Sequence, residues 1–551
     1  MHCSNEVRFT PGAISITMAA YRIVYTIALA GIYASFTVTS YPSETSLLTL
    51  RQKLSQIPQG SGALFFIQIF ATLGFAVLYS TLVLYATKKL GFSNKEATAI
   101  MGVFGAFNYG LHLFGGYLAG RFLSNRNLFV GGMMLQVIGC FCISGGTTHL
   151  LYWGLALFLT GSGLNVTCLN LMLTQRFKPE DTRRESAFLW NYAGMNLGFF
   201  IGFTVAGYYQ LQGDYTSLFI FATVGNFLAI VLAAGNWKVL KDLNTPLLDA
   251  TPSQFKLRFL AGAAILVGLV PLVYIMLQHS EFSGNLVICV GGLIAAILAF
   301  LAFRHKDARE RNNMWAYMIL TSGSLVFWTL YQMAPSGLQI FATDNVNRMV
   351  WGVEIAPQWI QNINSFIIMI GGPLTAMLFD SLRKKGWNID LSRQFAAALI
   401  LIGIGFLALP LGIMLAGSDG MVGFKWIFIS YLLQSVGELL ISPVGYAMVG
   451  RLAPRQYQGI MMGSFMLVTG VASVISSWFS GMVPEAKEGL SAAATNPTYT
   501  SIFSTLGWAS VAIGIVMVAL IPFLRKIIKD SEASPEPGAE LATLPVAELH
   551  A

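Results

Sequence analysis

One acidic residue lies inside an apolar stretch that is long enough to cross a membrane. It is Glu438, in the segment YLLQSVGELLISPVGYAMVG. Apolar residues dominate back to Ser430 and forward to Arg451, which places the carboxyl group near the middle of the segment. Because burial favours the protonated form of a carboxyl group, Glu438 could hold a proton or an ammonium group. A structural hydrogen bond to a neighbouring helix is the alternative interpretation.

Uncharged polar side chains form a second group inside the apolar segments. Any one of them is more typical of a hydrogen bond between helices than of a ligand contact. Gln361 and Asn364 are three residues apart and share one face of a helix. His112 could carry protons, although a lone histidine in a helix is more often a packing residue. The group comprises Asn108, Tyr109, His112, Asn165, Asn170, Asn191, Asn196, Asn226, Gln332, Gln361, Asn362 and Asn364.

Sequence patterns of enzymes and of ATP-driven pumps are absent from the chain. It contains no HExxH, no GxSxG and no Walker A lysine loop. The five cysteines lie near the N-terminus or inside apolar segments, without the spacing of a zinc site. We therefore expect no enzymatic activity, no metal, no cofactor and no disulfide, and any movement of a solute must be driven by gradients.

The composition excludes a soluble globular protein. Of the 551 residues, 55% are hydrophobic and 11% are charged, whereas ordinary soluble domains carry roughly 25% charged residues. The net charge of +8 does not indicate nucleic acid, because Lys and Arg lie in short loops and not on one solvated face. The sequence predicts an all-α membrane protein whose partner is the lipid bilayer.

Fourteen apolar segments follow residue 60, each with about the 20 residues that cross a hydrocarbon core of roughly 30 Å. They cover residues 62–87, 97–120, 127–146, 150–175, 186–209, 216–236, 259–278, 285–303, 313–336, 356–379, 394–416, 423–449, 458–482 and 499–524. The loops on one side hold 25 Lys and Arg residues and those on the other side hold 6. By the positive-inside rule, both ends of this fourteen-helix body are expected in the cytoplasm.

Two terminal regions fall outside the fourteen segments. Residues 1–60 form an unassigned extension that contains a 17-residue apolar run, Ile23–Thr39. That run could be an extra helix, a signal-like segment or sequence upstream of the true start. Residues 530–551 are rich in Pro, Glu and Ala, so we expect a disordered cytoplasmic tail.

The fourteen segments divide into two halves of six, with two further segments between them. Residues 61–236 hold six segments and residues 305–529 hold six more. Between them, residues 237–304 provide a basic cytoplasmic linker and two accessory helices. Six plus six helices around a cavity at the midplane is the arrangement of secondary transporters that are built from repeats.

Several stretches resemble the proton-dependent oligopeptide transporters, the peptide transporter family of the major facilitator superfamily. Residues 115–121, GGYLAGR, resemble the superfamily loop pattern GxLADR, with Gly120 where that pattern has Asp. The resemblance covers residues 61–525 in order, and GELxxSPVG is its most specific motif. The matching stretches are LVLYATKKLGFS (82–93), RRESAFLWNYAGMNLG (183–198), FWTLYQMAPSGLQIFATDNVNR (327–348), QWIQNIN (358–364) and YLLQSVGELLISPVGYAMVGRLAP (431–454).

The resemblance implies the major facilitator fold, with the two inserted helices of bacterial members, in a bacterial inner membrane. It also implies import of di- and tripeptides coupled to inward proton flow. Glu438 and Asn364 occupy the positions that face the peptide amino terminus in such transporters. Glu438 is the candidate for proton coupling. The other implied substrate-binding residues are Tyr109, Asn196, Trp328 and Gln332.

Other positions of the family pattern have lost their charges. The first-helix motif ExxERFxYYG should lie at residues 68–77, where this chain reads QIFATLGFAV. Gln68, Ala71 and Thr72 replace its two glutamates and its arginine. Tyr79 and Val166 stand where the family has a cavity arginine and a lysine, and Gln332 stands at an acidic position. The chain is therefore identified as a divergent member without the ExxER motif.

The missing charges indicate which type of substrate the chain can bind. A ligand carboxylate at mid-membrane without Arg or Lys would be poorly paired, which is costly in an apolar medium. We therefore expect short peptides or peptide-like amines that do not require a free carboxylate, imported with protons through Glu438. The alternatives are a transporter of a non-peptide solute and a non-transporting nutrient sensor of the same fold.

Overall fold

The computed structural model describes residues 60–178, 181, 183–243, 245–386, 390–484 and 491–532, and these are almost entirely α-helical. The predictions for the N-terminal extension up to residue 59, including the run Ile23–Thr39, lie outside the described residues. The same holds for the predicted tail beyond residue 532.

The predicted N-terminal half contains six long helices. The first continues into a short π-helical segment, Tyr85–Lys89. The six are α1 Ser61–Leu84, α2 Asn94–Leu118, α3 Asn125–Ser144, α4 Thr148–Thr174, α5 Arg183–Gln212 and α6 Tyr215–Gly235. We call them the N-terminal bundle. The accessory helices follow as α7 Pro252–Gln278 and α8 Ser280–Arg304.

The predicted C-terminal half begins with a broken helix. The segment predicted at 313–336 ends at Tyr331, and a shorter helix starts after a turn that contains Pro335, which cannot donate a backbone hydrogen bond. These two helices are α9 Ala308–Tyr331 and α10 Gly337–Asp344. They are followed by α11 Pro357–Lys384, α12 Leu391–Met414, α13 Phe424–Leu452, α14 Gln458–Gly481 and α15 Ala492–Glu532. We call α9–α15 the C-terminal bundle.

Polar residues at the loop ends define where many helices begin. Their side chains accept a hydrogen bond from the first helical turn and so satisfy backbone donors that have no partner inside the helix. In the described residues, these N-caps are Ser93, Ser124, Thr147, Asp214, Thr251, Asp307 and Asp390.

Four two-residue strands complete the described structure. Strands β1 (Val346–Asn347) and β4 (Val422–Gly423) pair in parallel. Strands β2 (Met349–Val350) and β3 (Val353–Glu354) pair antiparallel across a tight turn.

The described residues contain fourteen long helices, at the positions of the fourteen predicted segments. Among the described residues, twelve helices are long and apolar enough to cross a membrane. The other two are α5, which begins with RRES, and α9, which begins with ARERNN. Spanning of the membrane by these two helices stays a prediction.

Small residues allow the two bundles to approach closely. Helix α2 packs on α14, where a side chain on Gly102 or Gly105 would collide with Ser477 or Ser473. Helix α5 packs on α11, where Gly207 lies against the Trp359 ring. Close backbone approach at small residues is the usual packing mode of helices in membranes. Gly102 and Gly105 of the second predicted segment therefore have a packing role.

Candidate functional site

A buried carboxyl group lies at the contact between α11 and α13. Glu438 of α13 is 5% exposed, and its Oε2 atom accepts a hydrogen bond of 2.6 Å from Nδ2 of Asn364 of α11. The same nitrogen lies 3.1 Å from Oγ of Ser435, one turn before Glu438. The Tyr331 hydroxyl, at the end of α9, lies close to Glu438. Three helices of the C-terminal bundle therefore direct neutral hydrogen-bonding groups to one carboxyl group.

Aromatic rings surround this acidic group. The Trp328 ring lies one turn before Tyr331, with ring centroids 5.3 Å apart in an edge-to-face arrangement. Tyr79, Tyr109 and Tyr192 are near enough for the charge of Glu438 to act on their hydroxyl groups. The rings come from α1, α2, α5 and α9, so both bundles contribute to the wall of the site.

A chain of neutral hydrogen bonds joins the two bundles beside this site. The Tyr79 hydroxyl donates to Oε1 of Gln332 over 3.0 Å. Nε2 of Gln332 donates to the Tyr109 hydroxyl over 3.4 Å. We call Tyr79, Gln332 and Tyr109 the neutral ladder. It brings together two predicted site residues, Tyr109 and Gln332, and adds Tyr79.

Two other predicted site residues act through their neighbours. The Asn196 amide donates to the backbone oxygen of Tyr192 in its own helix over 3.0 Å, and it is Tyr192 that lies near Glu438. Trp328 packs against Tyr331. His112 lies with its ring edge-on to Tyr109, at 6.1 Å, and its Nε2 atom has no partner among the described residues.

Neutral side chains also meet at the positions of the lost first-helix motif. Nε2 of Gln68 donates to Oγ1 of Thr72 over 2.9 Å, and Nδ2 of Asn191 donates to Oε1 of Gln68 over 3.1 Å. This group links α1 to α5. The Oδ1 atom of Asn191 has no partner among the described residues. None of the three side chains exchanges protons near neutral pH.

The charge balance of the interior is one-sided. Among the described residues, the buried carboxylates are Glu438 and Asp242, and Asp242 lies in the loop after α6. The buried residues of that part of the chain include no Lys and no Arg. The same described ranges hold no cluster of three or more His, Cys, Asp or Glu residues that could bind a metal ion.

Further bonds between the bundles lie toward the side whose loops are poor in Lys and Arg. Lys88 pairs with Asp344 over 3.1 Å, and Gln339 donates to the backbone oxygen of Ser80. Nε1 of Trp359 donates to the backbone oxygen of Thr204 over 2.8 Å. These contacts join the bundles between the neutral ladder and the Lys- and Arg-poor side.

Comparison with known proteins identifies the family. The sequence profile of the POT family matches residues 119–499. The chain belongs to the POT family. It is 29% identical to dipeptide and tripeptide permease A of Chromobacterium violaceum, over 86% of this chain and 95% of the permease. It is 27% identical to dipeptide and tripeptide permease B of Salmonella typhimurium, over 86% of this chain and 97% of the permease.

Solved structures of POT transporters share the fold. The peptide transporter POT in complex with sulfate superimposes with a TM-score of 0.75 at 26% identity, covering 85% of this chain and 96% of the transporter. A variant of it in complex with alafosfalin gives a TM-score of 0.75 at 27% identity, covering 86% and 96%. These similarities confirm the predicted major facilitator fold and the transporter class, and the curated relatives are permeases, not enzymes.

Sequence reasoning did not identify Tyr331, Tyr192 and Ser435 as parts of this POT site. Helical spacing held a signal for all three. Tyr331 follows Trp328 by three residues, Ser435 precedes Glu438 by three, and Tyr192 precedes Asn196 by four, so each shares a helix face with a candidate residue. That Tyr192 lies near Glu438 still depends on how α5 approaches the other bundle.

Proposed function

We propose that this POT chain is a secondary active transporter that imports short peptides or peptide-like amines. The observation that carries the proposal is the buried Glu438 carboxyl group, surrounded by neutral donors in an interior whose described buried residues include no Lys or Arg. An ionised carboxylate in such a place needs a positive partner, since an unpaired buried charge is strongly unfavourable. The ammonium group of a substrate is the partner of matching size and charge.

Asn364, Tyr331 and Ser435 orient the carboxyl group for this purpose. Asn364 occupies one lone pair of Oε2, and the Tyr331 hydroxyl lies close to the group. A carboxylate has about four acceptor sites, so the remaining ones are open to the N–H donors of an ammonium group. Tyr109, Trp328 and Gln332 would line the rest of the substrate cavity, with Asn196 holding the Tyr192 region of α5.

The relatives support this substrate class. Those with curated names are dipeptide and tripeptide permeases, and one of the similar structures contains alafosfalin. We therefore place the amino terminus of a short peptide, or the amine of a similar molecule, at Glu438. The loss of charge at Gln68, Thr72 and Tyr79 distinguishes this chain from the family pattern. It affects how the end of the substrate opposite the amine can bind.

The proposed transport cycle follows from the contacts between the bundles. If the basic loops face the cytoplasm of a bacterial inner membrane, the bonds Lys88–Asp344 and Trp359–Thr204 close the outer side. Breaking them while the other side closes would give alternating access around a fixed site at the midplane. The small residues of the α2–α14 and α5–α11 contacts allow the bundles to rock against each other.

Proton coupling, in this proposal, runs through Glu438. It is the buried carboxylate of the described membrane-spanning helices, and a proton and a substrate amine would compete for the same oxygen atoms. Such competition by itself exchanges a proton for an amine when the empty, deprotonated state does not change conformation. Symport instead requires that a proton and the substrate cross in the same conformational step and that the empty state returns. The direction of the pH gradient that drives uptake distinguishes the two.

Uptake into proteoliposomes tests the proposed function. Dialanine and dialanine amide are supplied outside, with an inward pH gradient, and wild-type protein is compared with Glu438→Gln and Glu310→Gln. Glu310 is a partly exposed residue near the start of α9 that lies 3.0 Å from His305, and it serves as the control. We expect concentrative uptake by the wild type and the control, and its loss in Glu438→Gln.

Two results would contradict the proposal. Binding without flux in the wild-type protein would favour the sensor alternative. Concentrative uptake by Glu438→Gln at the wild-type rate would show that the carboxyl group is not required.

A further inference from the structure

The neutral ladder determines which chemical groups can bind in the part of the site that it lines, beside Glu438. We infer that this end accepts an uncharged group, so that the preferred substrate is a monocation, an amine that carries a neutral carbonyl in place of a carboxylate. The inference rests on the proposed function, because it takes the amine to be bound at Glu438. It concerns the other end of the substrate.

The hydrogen-bond directions in the ladder show which donors remain. The Tyr79 hydroxyl uses its hydrogen on Gln332, and one Nε2 hydrogen of Gln332 is used on the Tyr109 oxygen. What is left is the Tyr109 hydroxyl hydrogen and the second amide hydrogen of Gln332. Both are neutral donors. They suit the oxygen of an amide, an ester or a ketone. A carboxylate has a similar shape, but it carries a negative charge that neutral donors do not balance.

Apolar rings stand behind the ladder. Phe75 stacks on Tyr79 with ring centroids 5.6 Å apart, and it lies 5.8 Å from Phe104 and 6.0 Å from Phe199. On this side of Tyr79 the described neighbours supply ring surface and no charge. A carboxylate that bound here would lose its hydration and would contact only neutral donors and aromatic rings. No cation would compensate for the lost hydration.

The net charge of the site with substrate bound also favours a monocation. With Glu438 ionised, an ammonium group brings the local charge to zero. A zwitterionic peptide adds a second carboxylate, which returns the charge to −1 and is also repelled by Glu438 at low permittivity. A monocation leaves the loaded site neutral. The residue that discriminates is Tyr79, because it stands where the family pattern has a cation. Gln332 accepts the hydrogen bond of the Tyr79 hydroxyl and is neutral as well.

Matched ligands test the inference by calorimetry and thermal shift on the full purified chain at pH 6.5. The ligands are dialanine amide, which is a monocation, dialanine, which is a zwitterion, and N-acetyldialanine amide, which is uncharged. We expect the amide to bind about tenfold or more tightly than dialanine, because buried polar groups that lack a suitable partner discriminate strongly. The acetylated ligand should not bind.

Each other outcome has a defined meaning. Equal affinity for amide and free acid, or tighter binding of the free acid, overturns the inference and leaves the proposed function standing. Binding of the acetylated ligand as tightly as the amide contradicts the proposed function itself, since no ammonium would then be needed. No binding of any of the three contradicts both.

A change of charge in the ladder provides the second arm. Tyr79→Arg places a guanidinium beside Gln332 and should lower the affinity ratio of amide to acid by about tenfold, through a new charged pair with the carboxylate. Gln332→Lys serves as an independent variant if Tyr79→Arg does not fold. Tyr79→Phe removes the hydrogen bond without adding charge and should retain the wild-type ratio. An unchanged ratio in both cationic variants overturns the inference.

Discussion

Nδ2 of Asn364 donates a 2.6 Å hydrogen bond to Oε2 of Glu438, which joins α11 to α13 inside the C-terminal bundle. The acidic end of the site is thus built within one bundle. The neutral ladder, by contrast, links Tyr79 and Tyr109 of the N-terminal bundle to Gln332 of the other. A substrate that touches both ends therefore contacts both bundles, whereas the Glu438 site itself can move as one unit.

The Asn364 amide should contribute directly to amine binding. In Asn364→Ala, Glu438 loses a donor to its charged form, and hydrogen bonds to charged groups are worth about 1.5–3 kcal/mol. We expect the Kd for dialanine amide to rise by roughly ten- to a hundredfold, which calorimetry can measure. Asn362→Ala is the matched control, because Asn362 in the same helix donates to Thr204 and not to Glu438. A similar loss in the control would show that α11 as a whole is disturbed.

Close packing of α2 on α14 should be sensitive to a single methyl group. The Cβ atom in Gly105→Ala would collide with Ser473, and overpacking typically costs about 1–3 kcal/mol of stability. We expect a lower Tm and slower uptake. Gly110→Ala in the same helix meets nothing within 4 Å and should leave Tm unchanged or slightly higher, since alanine favours a helix. Equal Tm values for the two variants would argue against this contact.

Asp242 should make stability depend on pH. It lies in the loop after α6, where burial raises the pKa of its carboxyl group above the usual range. Hydrogen bonds from the backbone N–H of Asn125 and the charges of Arg126 and Arg176 act in the opposite direction. Because the folded protein favours the neutral form, this carboxyl group contributes most at acid pH, and its contribution falls as pH rises through the raised pKa.

The measurement is Tm from pH 4 to 8 for wild type and Asp242→Asn, in which the titratable group is replaced by an amide that can still accept from Asn125. The stability of the wild type relative to the variant should decrease as pH rises. Asp249→Asn, at an exposed residue of the same loop, is the control and should follow the wild-type curve. Parallel curves for wild type and Asp242→Asn would contradict the assignment.

The neutral group at Gln68 should be structural. Gln68→Leu leaves the Asn191 amide without its acceptor, and an unsatisfied buried polar group costs about 1–3 kcal/mol. We expect a lower Tm and an unchanged pH profile of uptake, because none of these side chains titrates near neutral pH. A shifted pH profile would show that this group takes part in proton transfer.

Much of the fold follows from the distribution of apolar residues. Each of the fourteen predicted segments is helical in the described residues, and twelve of these helices are long and apolar enough to cross a membrane. The break after Tyr331 was not predicted. Pro335 disfavours a continuous helix, but the turn and the new helix α10 also depend on contacts such as the bond from Gly337 to Ser480 of α14.

The site was predictable in part. Glu438 was evident from its charge in an apolar segment, and Asn364, Tyr109 and Gln332 from the family resemblance. The roles of Tyr79 and Tyr331 were not, because each depends on a partner that is distant in the sequence or on another helix. Tyr79 and Gln332 are separated by 253 positions, so their hydrogen bond exists only through the contact of the two bundles.

The amino-acid sequence by itself determined that this is a helical membrane protein with one acidic group in an apolar segment, and that the charges of the family pattern are missing. Those properties depend on composition and on local order along the chain. Only the tertiary structure decided which neutral groups meet Glu438 and that Tyr79, Gln332 and Tyr109 form one ladder. Hydrogen bonds have short range and strict direction, so they depend on how separate helices are brought together.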